Sequence, residues 1–193
     1  MKISKAQVEA NRARIVDTAS TLFRTRGYDG VGVADLMGAA GFTHGGFYRH
    51  FDSKTDLMAE AACAGFAQLA DKAVAVDAAA FVEAYLSRSH RDAPGDGCTM
   101  AALAGDTARQ SEAVKREFAD GIERLLAALA AADGAEGAEG ASAAAARARR
   151  IATMSQIVGA MVLSRACPDD AALADEILEV SRQAVLPRLR AEK

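Results

Sequence analysis

From residue 42 to residue 54 the chain reads FTHGGFYRHFDSK, and its polar groups are of the types that read and hold a nucleic-acid duplex. Arg49 can donate a bidentate pair to guanine O6 and N7, and His44 can donate or accept at a base edge. Lys54 places positive charge at the expected start of a helix, beside free backbone N–H groups, which together make a phosphate clamp; the Tyr48 hydroxyl can reach another phosphate. Phe42, Phe47 and Phe51 supply the apolar anchors that a helix of about eight residues needs, since one so short does not hold by itself. Gly45 and Gly46 each cost about 1 kcal/mol against alanine in a helix interior, so something must offset them. Close approach to DNA is one such reason, and close packing against another helix is the other. Taken singly, each polar residue fits a solvated face equally well, with Tyr48 partly in the core; their convergence on one short element favours recognition.

A second candidate lies in GDGCTMAALAGDTARQS, where Cys98 follows a glycine-rich loop at the expected start of a helix. Unpaired N–H groups and the positive end of a helix dipole lower a thiol's pKa and favour the thiolate, so Cys98 is a candidate effector-sensing residue; a buried, inert cysteine is the alternative. Paired with His90 as a base, Cys98 would be the nucleophile of a thiol-dependent enzyme, but no third orienting group can be named. The other cysteines, Cys63 and Cys167, lie far away in sequence and form no CxxC or Cys/His spacing, so neither metal nor cofactor is expected.

The elements that must present these residues are all helical. Ile15, Ala19, Leu22 and Phe23 recur at helical spacing and predict a first helix over Lys5 to Arg26, stopped by Gly27. A second, over Val33 to Ala40, ends at Gly41. Thr43 is the expected N-cap of a third running to about Phe51, and Ser53 with Asp56 caps a long fourth helix. Two short helices joined by a glycine turn, braced by a longer one, are what presenting a helix to the major groove requires. Further helices are expected at 78–89, 99–109, 111–132, 142–165 and 169–189, separated by loops at His90 to Gly97 and Asp133 to Gly140, the second read as mobile. No strand-like alternation and no long repeat occurs. The expected architecture is all-α, with about nine helices: a three-helix head over 1–52 and a helical body over 53–193.

With 193 residues, 51% of them hydrophobic, the chain can bury a real core. Its net charge of −3 argues against DNA binding until the distribution is considered. Residues 1–54 carry eight Lys and Arg against five acids, net +3, and the rest carries 15 against 21, net −6. A basic head on an acidic body suits a protein whose two parts meet different partners. Signal-peptide and membrane-span patterns are not found, which places the expected site of action in the cytoplasm and excludes a membrane partner.

Residues 12 to 60, RARIVDTASTLFRTRGYDGVGVADLMGAAGFTHGGFYRHFDSKTDLMAE, closely resemble the DNA-binding domain of TetR-family regulators, including the spaced core AGxTxGxFYxHFxSKxxL. The resemblance implies that His44, Gly45, Gly46 and Arg49 face the major groove, while Thr43, Tyr48, His50 and Lys54 hold the DNA backbone. Where the family often carries Thr or Ser at the start of the second helix, this chain has Val31, Gly32 and Val33. Phosphate contacts there would fall to backbone N–H groups, helped by Arg26, Lys2, Lys5 or Arg12. The resemblance further implies a repressor that binds a palindromic operator in double-stranded DNA as a homodimer and is released by a small hydrophobic or electrophilic effector. The neighbourhood of Cys98 is similar to that of a cysteine-containing subgroup typified by the N-ethylmaleimide-reductase repressor. A DNA-binding architectural protein without a ligand remains the other non-enzymatic reading.

For the body, two apolar stripes are candidates for the dimer face: Ile151, Met154, Val158, Met161 and Val162, then Leu173, Ile177, Val180 and Ala184. Intramolecular core is the alternative for each. Phe66, Leu69, Phe81, Tyr85, Met100, Leu103, Phe118, Ile122 and Met154 are on helices expected to surround an effector pocket, although such residues more often serve as ordinary packing.

Overall fold

The structure is a computed structural model that describes residues 4–132 and 140–191. Among these, nine α-helices and two 3₁₀ segments account for the regular structure: α1 (Lys5–Arg26), α2 (Val33–Ala39), a 3₁₀ segment (His44–Arg49), α3 (Lys54–Val74), α4 (Ala78–Tyr85), α5 (Arg88–Asp92), a 3₁₀ turn (Pro94–Asp96), α6 (Thr99–Thr107), α7 (Glu112–Ala132), α8 (Ala141–Ala166) and α9 (Ala172–Ala191). The chain is all-α as the sequence implies, and α1 runs over the expected residues.

Local chemistry sets most of the boundaries. The Ser4 hydroxyl accepts from Gln7 N and starts α1; Gly27, at φ 72°, ends it with its own N–H on Phe23 O. Ser53 accepts from Asp56 N at 3.1 Å and starts α3. The expected helix over 78–89 is two helices, because Leu86 leaves the helical region and the Ser87 side chain caps a new start on His90 N. Part of the expected loop from His90 to Gly97 is therefore helical. The third helix also differs from expectation: six residues, two of them glycine, form a 3₁₀ segment rather than an α-helix. So short a piece gains little from α-type hydrogen bonds, and its geometry is set by what holds its ends. The glycine-rich stretch 133–139, expected to be a mobile loop, lies outside the described residues, as does Lys2.

Packing is organised around α3. It lies against α1 on one side and along α7 on the other, with Phe66 edge-on to Phe118 at 5.0 Å between ring centres. Gly121 on α7 sits directly beneath the Phe66 ring. The antiparallel pair α8 and α9 closes the body against α4, α6 and α7. The apolar stripes of α8 and α9 divide. Met161 is fully buried, and Met154, Val158 and Ile177 pack on the core, whereas Ile151, Val162, Leu173 and Val180 face outward together with Leu163.

A methyl group at Gly121 overlaps the Phe66 ring and forces α3 and α7 apart. Gly121→Ala is expected to lower unfolding free energy by about 1–3 kcal/mol, read as an earlier thermal melt with unchanged helical circular dichroism at 20 °C or so.

Candidate nucleic-acid interface

The 3₁₀ segment is fixed from beneath and left open above. Phe47 is buried, stacked at 5.5 Å on Phe51 and edge-on to Tyr48 at 5.2 Å. Around that anchor, Thr43, His44, Gly45, Tyr48 and Arg49 are exposed, Tyr48 to 69%, while Gly46 is half-buried. Thr43 has the extended backbone of an N-cap, yet its hydroxyl makes no capping bond and stays free on the surface.

The two glycines are not equivalent. A Cβ at Gly46 would make ordinary contact with Met37 Cε at 3.6 Å; at Gly45 it would meet nothing within 4 Å. Helix packing inside this chain therefore does not explain why position 45 lacks a side chain.

Two arginines of α1 hold the ends of the turn. Arg14 donates Nε to the Ala40 carbonyl at 2.8 Å, at the end of α2, and its guanidinium lies 4.6 Å over the Phe42 ring. Arg12 donates Nε to the His50 carbonyl at 3.3 Å, lies 4.6 Å over Phe51, and pairs through both terminal nitrogens with the Glu60 carboxylate. Arg12, expected as a spare phosphate contact, is thus engaged inside the head. Neither arginine's bracing role was visible in the sequence, because the carbonyls they hold lie 26 and 38 residues away.

The remaining predicted residues divide between surface and scaffold. The His50 ring is half-buried between Phe42 and Phe51, at 6.4 and 6.3 Å. Lys54 turns its ammonium back to the Tyr28 carbonyl at 2.6 Å, with two further N–H groups left to donate. Thr43, His44, Gly45, Tyr48 and Arg49 are brought together on one exposed face, and His50 and Lys54 brace that face from its end.

Residues 15–61 match the profile of the bacterial regulatory proteins, tetR family. That segment is similar to the DNA-binding part of tetR-family regulators. Two curated relatives are similar over stretches of comparable length: the uncharacterised HTH-type transcriptional regulator YwcC of Bacillus subtilis (strain 168), 42% identical over 60 residues, and the HTH-type transcriptional repressor KstR2 of Rhodococcus jostii (strain RHA1), 43% identical over 49 residues. These alignments cover 30% and 25% of this chain and span only about a quarter of each relative, 27% and 24%. The similarity of the whole fold reaches further. The reduced form of NemR from E. coli superposes with a TM-score of 0.69 over 91% of this chain and 95% of that one, at 20% identity, which bears on the fold alone. The tetR-family head and a helical body behind it are therefore both present.

Cys98 lies in that body, in the buried setting that the sequence left open beside an exposed, reactive one. It is the N-cap residue of α6, but only 1% of it is exposed. Burial pushes its thiol pKa up, outweighing the Tyr85 hydroxyl and the Ala101 and Met100 N–H groups that favour the thiolate. The helix terminus is where the sequence puts it; the expected lowering of the pKa is reversed by desolvation. Its backbone N–H donates to His90 Nε2 at 3.2 Å, and His90 Nδ1 donates to the Tyr85 carbonyl at 2.6 Å. His90 thus serves the Cys98 backbone and not its thiol. Among the described residues, no group of three or more His, Cys, Asp or Glu is placed to hold a metal, and no helix is long and apolar enough to cross a membrane. The residues expected around an effector pocket converge on the core: Phe66, Leu69, Tyr85, Met100, Leu103 and Phe118 are buried, and Phe81, Ile122 and Met154 pack against them.

His90 can accept from Cys98 N only while neutral. Burial, then the nearby Arg165 and Lys72 charges, hold its pKa below the ordinary 6.5, against the opposing effect of the Tyr85 carbonyl. The unfolded chain consequently takes up this proton first as pH falls. The contribution is complete above pH 6.5 and is lost as pH drops through the lower, folded value. Urea melts from pH 8 to pH 5 should show stability falling below pH 6.5, with His90→Gln flattening that part of the profile.

Proposed function

We propose that the protein is a transcriptional repressor that binds a palindromic operator as a homodimer, one copy of the 43–50 face entering each major-groove half-site. Arg49 and His44 read base edges, Gly45 lets the backbone approach the duplex, and Thr43, Tyr48, His50 and Lys54 secure the phosphates. The observation that carries this reading is Gly45: a helix-weakening residue on an exposed face, with open space where a side chain would be. The match of residues 15–61 to the tetR-family profile and the similarity of a 49-residue stretch to a curated repressor support it. The division of labour falls near residue 52, with the head before it and the effector and dimer body after it.

The partner in the dimer is a second copy of the chain. Leu163, Leu173 and Val180 are 60%, 55% and 58% exposed on the α8 and α9 pair, with Ile151 and Val162 beside them. An apolar face of this kind is what a helical dimer interface buries. Release follows when a small hydrophobic or electrophilic effector enters the helical body and changes the spacing of the two heads, which costs contacts in one half-site. The protein works in the cytoplasm, where its DNA is.

Two experiments test these assignments. In gel shifts on DNA from its own promoter region at low salt, Arg49→Ala should lose about 1–3 kcal/mol of specific binding. Gly45→Ala should also bind more weakly while raising stability by about 0.5–1 kcal/mol; tighter or equal binding by that variant contradicts the role given to Gly45. In light scattering, the wild type should have the mass of two chains and a Leu163→Asp, Val180→Asp double variant that of one. A wild type that stays a single chain at high concentration excludes the paired mode of binding.

A further inference from the structure

Asp106 carries a charge that its position disfavours. It is the last residue but one of α6, and a carboxylate near a helix C-terminus opposes the helix dipole. Its two oxygens are both used. Oδ1 accepts from Arg109 at 2.8 Å, and Oδ2 reaches out of the body to accept the backbone N–H of Tyr28 at 3.1 Å.

Tyr28 closes the turn after α1 and leads into α2. Its side chain is fully buried, edge-on to Phe23 at 5.1 Å, and its carbonyl accepts from Lys54 Nζ at 2.6 Å. The backbone of this one residue is therefore held at its N–H by the body and at its C=O by the first residue of α3, which directly follows the 43–50 segment. Gly27 fits the same arrangement, since its φ of 72° favours glycine and any side chain there would crowd the Asp106 carboxylate. A hydrogen bond from this end of α1 to the body, Arg24 Nε on the Gly95 carbonyl at 2.8 Å, holds the supporting helix and not the segment that reads.

We propose that Asp106 is a positioning residue for DNA recognition, fixing the reading face through Tyr28 and Lys54. The proposal rests on the reading that residues 43–50 contact DNA. It also gives that face a link to the core, because α6 carries Met100 and Leu103 into the apolar interior at its other end. Whatever displaces α6 there moves the carboxylate that holds Tyr28.

The test uses a duplex enriched by the wild-type protein from a random-sequence pool, with an unrelated duplex beside it. Fluorescence anisotropy gives the affinity of wild type, Asp106→Ala and Asp106→Asn for both, and melts report folding. Loss of a hydrogen bond to a charged group should weaken Asp106→Ala about tenfold on the enriched duplex, leaving the phosphate-driven binding to the unrelated duplex within about twofold. Asparagine keeps an acceptor oxygen in place, so Asp106→Asn should stay within about threefold of wild type. Exchange of the Tyr28 amide hydrogen should quicken in the alanine variant only. If Asp106→Ala melts below the assay temperature, Asp106→Ser replaces it with the same thresholds. Equal binding by the alanine variant, or an asparagine variant as weak as alanine, overturns the proposal alone. A wild type that enriches no sequence overturns the DNA reading as well.

Discussion

The head depends on two guanidinium groups that hold carbonyls which no helix of its own can satisfy. A six-residue 3₁₀ segment has too few internal hydrogen bonds to fix its direction, and α2 is only seven residues long. Arg14 on the Ala40 carbonyl and Arg12 on the His50 carbonyl tie the end of each short element to the 22-residue α1. Phe47 then supplies the apolar peg between them. The result is a rigid underside, and it is this rigidity that lets the upper face consist of glycine, histidine and arginine with no packing duty of its own.

The same device recurs where the body is joined. Arg91 of α5 donates to the Ser164 and Cys167 carbonyls at the end of α8, and Arg165 of α8 donates back to the His90 and Arg91 carbonyls at the end of α5. Two helix ends thus exchange arginines, each offering a cation to the partner's unsatisfied carbonyls. His90 continues the chain of contacts to the first N–H of α6. The short α5 needs such support at both ends, since five residues make barely more than one turn.

Much of this was legible in the sequence. Apolar spacing and caps located α1, α2 and α3, because Ser53, Gly27 and Gly41 act locally and their chemistry needs no partner from elsewhere. The exposed set Thr43, His44, Gly45, Tyr48 and Arg49 was legible for the same reason: three phenylalanines at fixed spacing dictate which side of the element turns outward. What escaped the sequence depends on contacts distant along the chain. Nothing local distinguishes Arg12 and Arg14 from solvated arginines, or Lys54 as a ligand for the Tyr28 carbonyl. The α4 and α5 break was missed because its determinant, the Ser87 cap, looks the same as any helical serine until Leu86 is seen to leave the helix. The apolar stripes of α8 and α9 were visible, but their division into inward and outward halves depends on where the body lies.

Cys98 shows how a correct local argument can be outweighed by a global one. An N-terminal helix position does favour a thiolate through nearby donors and the dipole, and the Tyr85 hydroxyl and the Ala101 and Met100 amides act in that direction on Cys98. Yet the terminus of α6 is inside the molecule, covered by Tyr85 and His90, and the cost of charging a sulfur there exceeds what the Tyr85 hydroxyl and two amides return. The amide of Cys98 is satisfied by a neutral imidazole and not by an anion, which is the arrangement expected of a terminus that the fold keeps dry. At the opposite end of the same nine-residue helix stands the Asp106 carboxylate, partly exposed and reaching the head. A neutral partner at the N-terminus and a charged one at the C-terminus is the reverse of what the dipole favours. Isolated helix energetics therefore do not account for α6, and its sequence is explained by the two structures it joins.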